Sequence, residues 1–446
     1  MTEKRVWKRL DRLGFVFALL MLLLSFPQVG TASETVMISY WQPIINATNR
    51  NTMNHIVELF ESQYPNIRVE YFAKLEHRPP NYYEPGVGEA LRNGEGPDVV
   101  TLFNGWLPSW VSAGYLIPLP KDAFPPEWIE RHFFEIVTSS RYQDQYWALP
   151  TAVRTMALFY NKDVFDAANI TYPDPSWTWE DMAKIAAQID AANIEGVVGF
   201  DLEITVWGHH WLREVLVPQF GGDSYVHNPN QSIWNSPSAC GAFTWLLGLE
   251  DVPRTSSEER LGSAGDYFEA GRAALHVDGS FRLQTIERDA PELNFGVVPL
   301  PRGPLQNAEG QYQPRTFGSY WTHGLTPHVL EDKARYDAAI TFLNFITSPE
   351  IGAIWMEETG ELAAQRDAVT NDMLADPLRG PFLGSLRFAF ATPFADETLQ
   401  LAALTQAYDS VITENADPCD ALNIAGLEVQ EILDDFVENQ NRWERR

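Results

Sequence analysis

The chain has 446 residues, 45% hydrophobic and 21% charged, which is globular composition at a length beyond one hydrophobic core, so two lobes are expected. A formal net charge of −28 makes nucleic acid and anionic membrane poor partners. Residues 1–33 read as an address: Lys4, Arg5, Lys8, Arg9 and Arg12 precede an apolar run from Leu13 to Phe26, and small residues follow at Ala32 and Ser33. This pattern predicts a cleavable secretory signal peptide whose apolar run is short for a membrane span. No cysteine stands at the expected cleavage point, so no lipid anchor is expected. Cys240 and Cys419 are the only cysteines, and the sequence leaves open whether they pair or stay as two buried thiols.

After the address, "TVMISYW" (35–41) reads as a buried strand. Met53, Ile56, Val57 and Phe60 then recur at helical spacing, Pro65 closes that helix, and Ile67, Val69 and Tyr71 alternate as a second strand. Gly/Pro punctuation at 94–97 leads into a short apolar strand ending at Phe103. This β-α-β-α-β order predicts parallel strands with helices on the faces, and ligands of such sheets bind beyond the carboxyl ends of the strands. Trp41, Gln42, Asn104 and Trp106 occupy those ends.

"WALPTAVRTMALFYNKDVF" follows, alternating like an interior strand but carrying Arg154. A guanidinium is expensive to bury alone, so Arg154 faces either a ligand or an ion pair. Thr178 with Asp181 marks a helix start, and Met182, Ile185 and Ile189 form its apolar stripe. A Trp-rich segment holds Trp207, and "NSPSACGAFTWLLGL" reads as another helix. "FEAGRAALHVDGSF" runs from a helix end through Gly271 into a strand ending at Asp278-Gly279, and "FGVVPLPRG" is one more strand. "PRTFGSYWTHGL" leads to two consecutive helices in "DKARYDAAITFLNFITSPEIGAIWMEETG", and the remainder is mostly helical. Trp234, Trp245 and Trp355 fall within helical stripes and are expected in the core.

These segments, in this order and together with "FESQYPNIRVEY", "GPDVVTLF" and "DPCDALNIAGLEVQEIL", resemble the sugar-binding subunits of ABC importers. That family comprises maltose-binding protein and its extracellular solute-binding relatives, and the resemblance covers residues 35 to 440. It implies an α/β, two-lobed periplasmic-binding-protein fold (type II-like) with three hinge crossings, at 150–154, 317–324 and about 360–366, and a ligand cleft between the lobes. The N-lobe would comprise 34–152 plus 325–360, and the C-lobe 153–324 plus 361–446. It further implies a periplasmic monomer that captures a carbohydrate and delivers it to ABC transporter permease subunits in the inner membrane, with no cofactor, no metal and no catalysis.

Sugars present hydroxyls at the ring edge and C–H groups on the faces, so polar side chains and flat aromatic platforms are needed to bind them. On the family pattern the expected ligand contacts are Trp41, Gln42, Asn104, Trp106, Arg154, Trp207, Asp278, Phe281, Tyr320, Trp321 and Arg366. Around Arg366 the chain departs from the family, reading "ELAAQRD" where relatives carry a proline. Two rivals remain: a secreted glycosidase using paired carboxylates, and a same-fold sensor that presents ligand to a receptor. No nucleophile elbow or phosphate loop is present, His209 and His210 are adjacent, and His276, His323 and His328 lack metal-ligand spacing.

Overall fold

The computed structural model describes residues 35–43, 46–74, 86–201, 215–222, 230–248, 265–304, 306, 310 and 313–443. The expected signal peptide and Trp207 lie outside the described residues. In chain order the strands are β1 (Val36–Pro43), β2 (Ile67–Lys74), β3 (Val99–Phe103), β4 (Arg141–Tyr142), β5 (Gln145–Tyr146), β6 (Ala148–Pro150) and β7 (Ala152–Asn161). They continue as β8 (Val198–Asp201), β9 (Ala273–Gly279), β10 (Phe295–Pro299), β11 (Thr316–Ser319), β12 (Trp321–Leu325), β13 (Leu362–Ala363) and β14 (Ala389–Phe390). All but the β4-β5 hairpin enter two mixed sheets.

The first sheet has the order β2-β1-β3-β12-β6. β1 is parallel to β2 and β3, while β12 runs antiparallel between β3 and β6. The helix Ala47–Gln63 makes the β1-to-β2 crossover. Asn46 caps it by accepting from the Asn49 amide, and Met53, Ile56, Val57 and Phe60 are its buried face. Helices Lys333–Ile346 and Pro349–Thr359 return to cover the same sheet, placing Phe342, Leu343 and Trp355 in one core with Ile38, Tyr40 and Phe60.

The second sheet has the order β14-β11-β7-β9-β8, with β10 and β13 also on β7. Every partner of β7 is antiparallel to it. A strand paired on both edges and covered on both faces reads as mostly apolar sequence, as 152–161 does apart from Arg154, Thr155 and Asn161. The helix Trp179–Ala191 covers this sheet behind a capping box: Thr178 accepts from the Asp181 amide, and the Asp181 carboxylate accepts from the Thr178 amide. Helices Pro237–Gly248, Glu397–Glu414 and Pro418–Trp443 share its second core. A disulfide joins Cys240 to Cys419 across 179 residues, so the pairing alternative is the one realised.

The chain passes from the first sheet to the second at Thr151 and returns at Tyr320. Residues 321–325 pair with β3, and 322–324 also with β6, of the first sheet. The helices that follow end at Thr359, and β13 then joins β7.

Candidate functional site

The strand order β1-β3-β12 brings three of the expected tryptophans to one end of the first sheet. Trp321 opens β12 directly opposite Phe103, the last residue of β3. The Trp321 ring lies 5.7 Å from Phe103 and 5.7 Å from Trp106, meeting Trp106 edge-on at 86°. Trp41 and Trp321 both flank the same small core as Trp106 and Trp110. The Lys74 ammonium sits 3.8 Å from the centre of the Trp41 ring, a cation–π contact. The Trp321 ring is half-buried, and its Nε1–H is buried with no hydrogen-bond partner among the described residues.

The polar residues at the same end are spent inside the protein. Gln42 is buried and accepts from the Tyr71 hydroxyl at 2.7 Å. Asn104 grips the return crossing from both sides: its Oδ1 accepts from the Tyr320 amide at 2.9 Å, and its own amide donates to the Tyr320 carbonyl at 3.0 Å. Trp106 is buried too, with Nε1 donating to Glu397 Oε2 at 2.7 Å.

A second group lies where β7 begins. Arg154 Nε donates to Glu361 Oε1 at 2.8 Å, its Nη2 donates to the same oxygen, and Glu361 Oε2 accepts from Trp355 Nε1 at 2.8 Å. The guanidinium also lies 5.5 Å from the centre of the Phe281 ring. Asp278 accepts from Arg282 Nε at 2.6 Å and from the Gly279 amide at 2.7 Å, while Arg282 reaches Glu269 at 2.7 Å. Burial works against the Asp278 charge, but Arg282, with His276 and the Gly279 amide, holds the carboxyl below the usual carboxylate range.

Two expectations require correction. Tyr320 is not a wall of the site. Its ring is 1% exposed and its hydroxyl bonds Ser139 at 2.5 Å and Ser140 at 3.0 Å, while the neighbouring Trp321 ring stays half-buried. Arg366 is exposed and lies over Phe134 at 5.1 Å, contacting none of the other expected residues. Sequence reasoning overlooked Phe103, Glu361, Phe394 and Glu397. Phe103 alone carried a signal, as the terminal residue of an apolar strand.

Behind the tryptophans a buried histidine ties the first crossing to the sheet. Thr151 Oγ1 donates to the Ile346 carbonyl at 2.6 Å and so accepts from His323 Nε2–H at 3.0 Å. Nδ1 is then the acceptor facing the hydroxyls of Thr101 at 2.9 Å and Tyr40 at 3.2 Å. Burial pushes the His323 pKa down to about 3, so the ring is neutral. Among the described residues no three His, Cys, Asp or Glu side chains are grouped to hold a metal ion.

Known proteins place this architecture. The cyclic alpha-maltosyl-1,6-maltose binding protein of Arthrobacter globiformis superposes with a TM-score of 0.74 at 21% identity, covering 90% of this chain and 100% of that one. The sugar-binding protein MalE of Xanthomonas citri gives 0.73 at 18% identity, covering 92% and 98%. By sequence, the sn-glycerol-3-phosphate-binding periplasmic protein of Escherichia coli (strain K12) is 22% identical over 369 residues, 78% of each chain. The maltotriose-binding protein of Pyrococcus abyssi is 23% identical over 303 residues, 66% of this chain and 59% of that one. The family model for bacterial extracellular solute-binding proteins matches residues 31–353, most of the chain, and the protein belongs to that family, one of binding proteins rather than enzymes.

Proposed function

We propose that this protein captures a di- or oligosaccharide between two lobes that close about the crossings at Thr151, Tyr320 and Glu361, and delivers it to the permease of an ABC importer. The N-lobe then comprises residues 34–150 and 321–360, and the C-lobe 152–319 and 361–446. The observation that carries the reading is Trp321: a half-buried indole at the strand ends whose donor has no protein partner among the described residues. Leaving a buried donor unpaired costs about 1–3 kcal/mol, which a ligand hydroxyl recovers while a sugar face covers the ring. Trp41 and Phe281 offer further aromatic surface from either lobe. The two arginines nearest these rings are matched by carboxylates, Arg154 by Glu361 and Arg282 by Asp278 and Glu269, which favours an uncharged sugar over a phosphorylated polyol. The site of action is the periplasm, reached through the signal peptide read at residues 1–33, and the protein works there as a monomer.

A thermal-shift screen of mono-, di- and oligosaccharides against polyol phosphates tests this. Ligand at 100 times its Kd stabilises by about 2.7 kcal/mol, and the same ligand changes the tryptophan fluorescence. Trp321→Ala weakens its binding by at least about 1 kcal/mol, roughly fivefold. Stabilisation by polyol phosphates alone, or wild-type affinity in Trp321→Ala, refutes the assignment.

A further inference from the structure

Away from the crossings, one cluster of contacts among the described residues joins the two lobes beside the strand-end aromatics. The segment 391–397 belongs to the second lobe at both ends: β14 before it pairs with β11, and the helix Glu397–Glu414 after it packs in the second core. Between those anchors it leaves its own lobe and attaches to the turn after β3. Trp106 Nε1 donates to Glu397 Oε2 at 2.7 Å, Ser109 Oγ donates to the Ala395 carbonyl at 2.6 Å, and the Phe394 amide donates to the Gly105 carbonyl at 2.7 Å. The Phe394 ring stacks on Phe103 with centroids 6.5 Å apart and planes at 28°. The fit at Gly105 is close enough that a Cβ would come within 2.4 Å of the Phe394 ring.

We propose that 391–397 is a clasp that holds the two lobes closed without ligand, so that the site opens by releasing Glu397 from Trp106. The proposal rests on the two-lobe closure reading and adds to it a regulator. The clasp uses the indole of Trp106 and stacks against Phe103, two rings of the group that contains Trp321. Its state therefore sets how much of that aromatic surface a ligand meets. Because apparent affinity scales with the fraction of molecules in the competent state, the clasp also tunes affinity from outside the ligand contacts. A second bridge supports the direction of the bias. Gln440, near the end of the C-terminal helix, donates to Ser112 Oγ at 2.8 Å and to the Tyr142 hydroxyl, both in the first lobe.

The test is small-angle X-ray scattering of the ligand-free mature protein, with no sugar needed. A compact chain of this length has a radius of gyration of about 22 Å, and the wild type is expected to scatter as that closed form. Glu397→Ala removes the acceptor, Ser109→Ala removes one bond, and Gly105→Ala wedges the Phe394 ring. Each is expected to raise the radius of gyration and to split the distance distribution into two lobes, while Glu397→Gln, which keeps an acceptor for the indole, stays compact. Circular dichroism confirms that each variant is folded, and Ser109→Ala is mild enough to serve alone if the others are not. A wild type that is already open, or variants as compact as the wild type, overturns the clasp. Failure of every carbohydrate to bind would sink the transport reading and leave this measurement standing.

Discussion

Arg154→Ala separates a structural role from a ligand-binding one. The Arg154 side chain is 18% exposed and that of Glu361 is 8%, so the pair is largely withdrawn from water at the third crossing. Removing one partner of a buried pair leaves the other charge uncompensated, at about 3–5 kcal/mol. Trp355 still donates to Glu361 after the substitution and some solvent reaches the site, which places the loss near the lower end, about 3 kcal/mol. Equilibrium urea unfolding of the ligand-free protein measures it directly. The double variant Arg154→Ala/Glu361→Ala is expected to lose less than the two single losses added together, by about 2 kcal/mol, because each single change already forfeits the pair. Affinity for the carbohydrate selected by thermal shift should stay within about threefold of wild type, under 1 kcal/mol. The opposite outcome, unchanged stability with affinity down ten- to a hundredfold, would show that Arg154 faces the ligand and that Glu361 only parks it.

His323 gives a pH signature. Its folded pKa of about 3 lies below the ordinary value of 6.5, so the unfolded state binds the extra proton. Stability from this group is therefore whole above pH 6.5 and declines as pH falls towards 3, by up to about 1.4 kcal/mol per pH unit. His323→Gln should flatten the urea midpoint against pH across that window relative to wild type, and parallel curves would refute the buried neutral ring. Reducing Cys240–Cys419 should lower stability by about 2–4 kcal/mol and release two alkylatable thiols, while leaving ligand affinity intact because the two helices it joins, Pro237–Gly248 and Pro418–Trp443, pack in one core. A loss of ligand affinity on reduction would contradict that placement.

What the sequence made legible was local. The strand–helix–strand opening, the Thr178–Asp181 box and the paired helices after Asp332 are each written within a few neighbouring residues. The residue at which the chain returns was not legible, because the family pattern gives only a span for it, 317–324. What divides it at Tyr320 is the side chain of Asn104, 216 residues earlier, holding the Tyr320 backbone. Arg154 was read as facing either a ligand or an ion pair, and Glu361, its partner in the structure, stands 207 residues away where no local pattern points to it. Glu397 sits beside Asp396, whose side chain caps the helix by accepting from the Leu399 amide, so in sequence it reads only as a favourable charge in a helix's first turn.

The site itself exposes a deeper limit. A tryptophan at a strand end has the same sequence signature whether its ring meets a ligand, a neighbouring ring or another lobe. Tyr320 stands between β11 and β12, so strand alternation alone does not sort it from Trp321. It could not have sorted Trp321 from Trp106, whose rings are 5.7 Å apart. The discriminating quantity is where each indole N–H goes: Trp106 gives its proton to Glu397, Trp355 gives its proton to Glu361, and Trp321 gives its proton to no described residue. Under the proposed two-lobe reading, Glu361 at the third crossing and Glu397 in the chain beyond it each hold an indole across the lobes, and Trp321 is the indole proposed to meet the ligand.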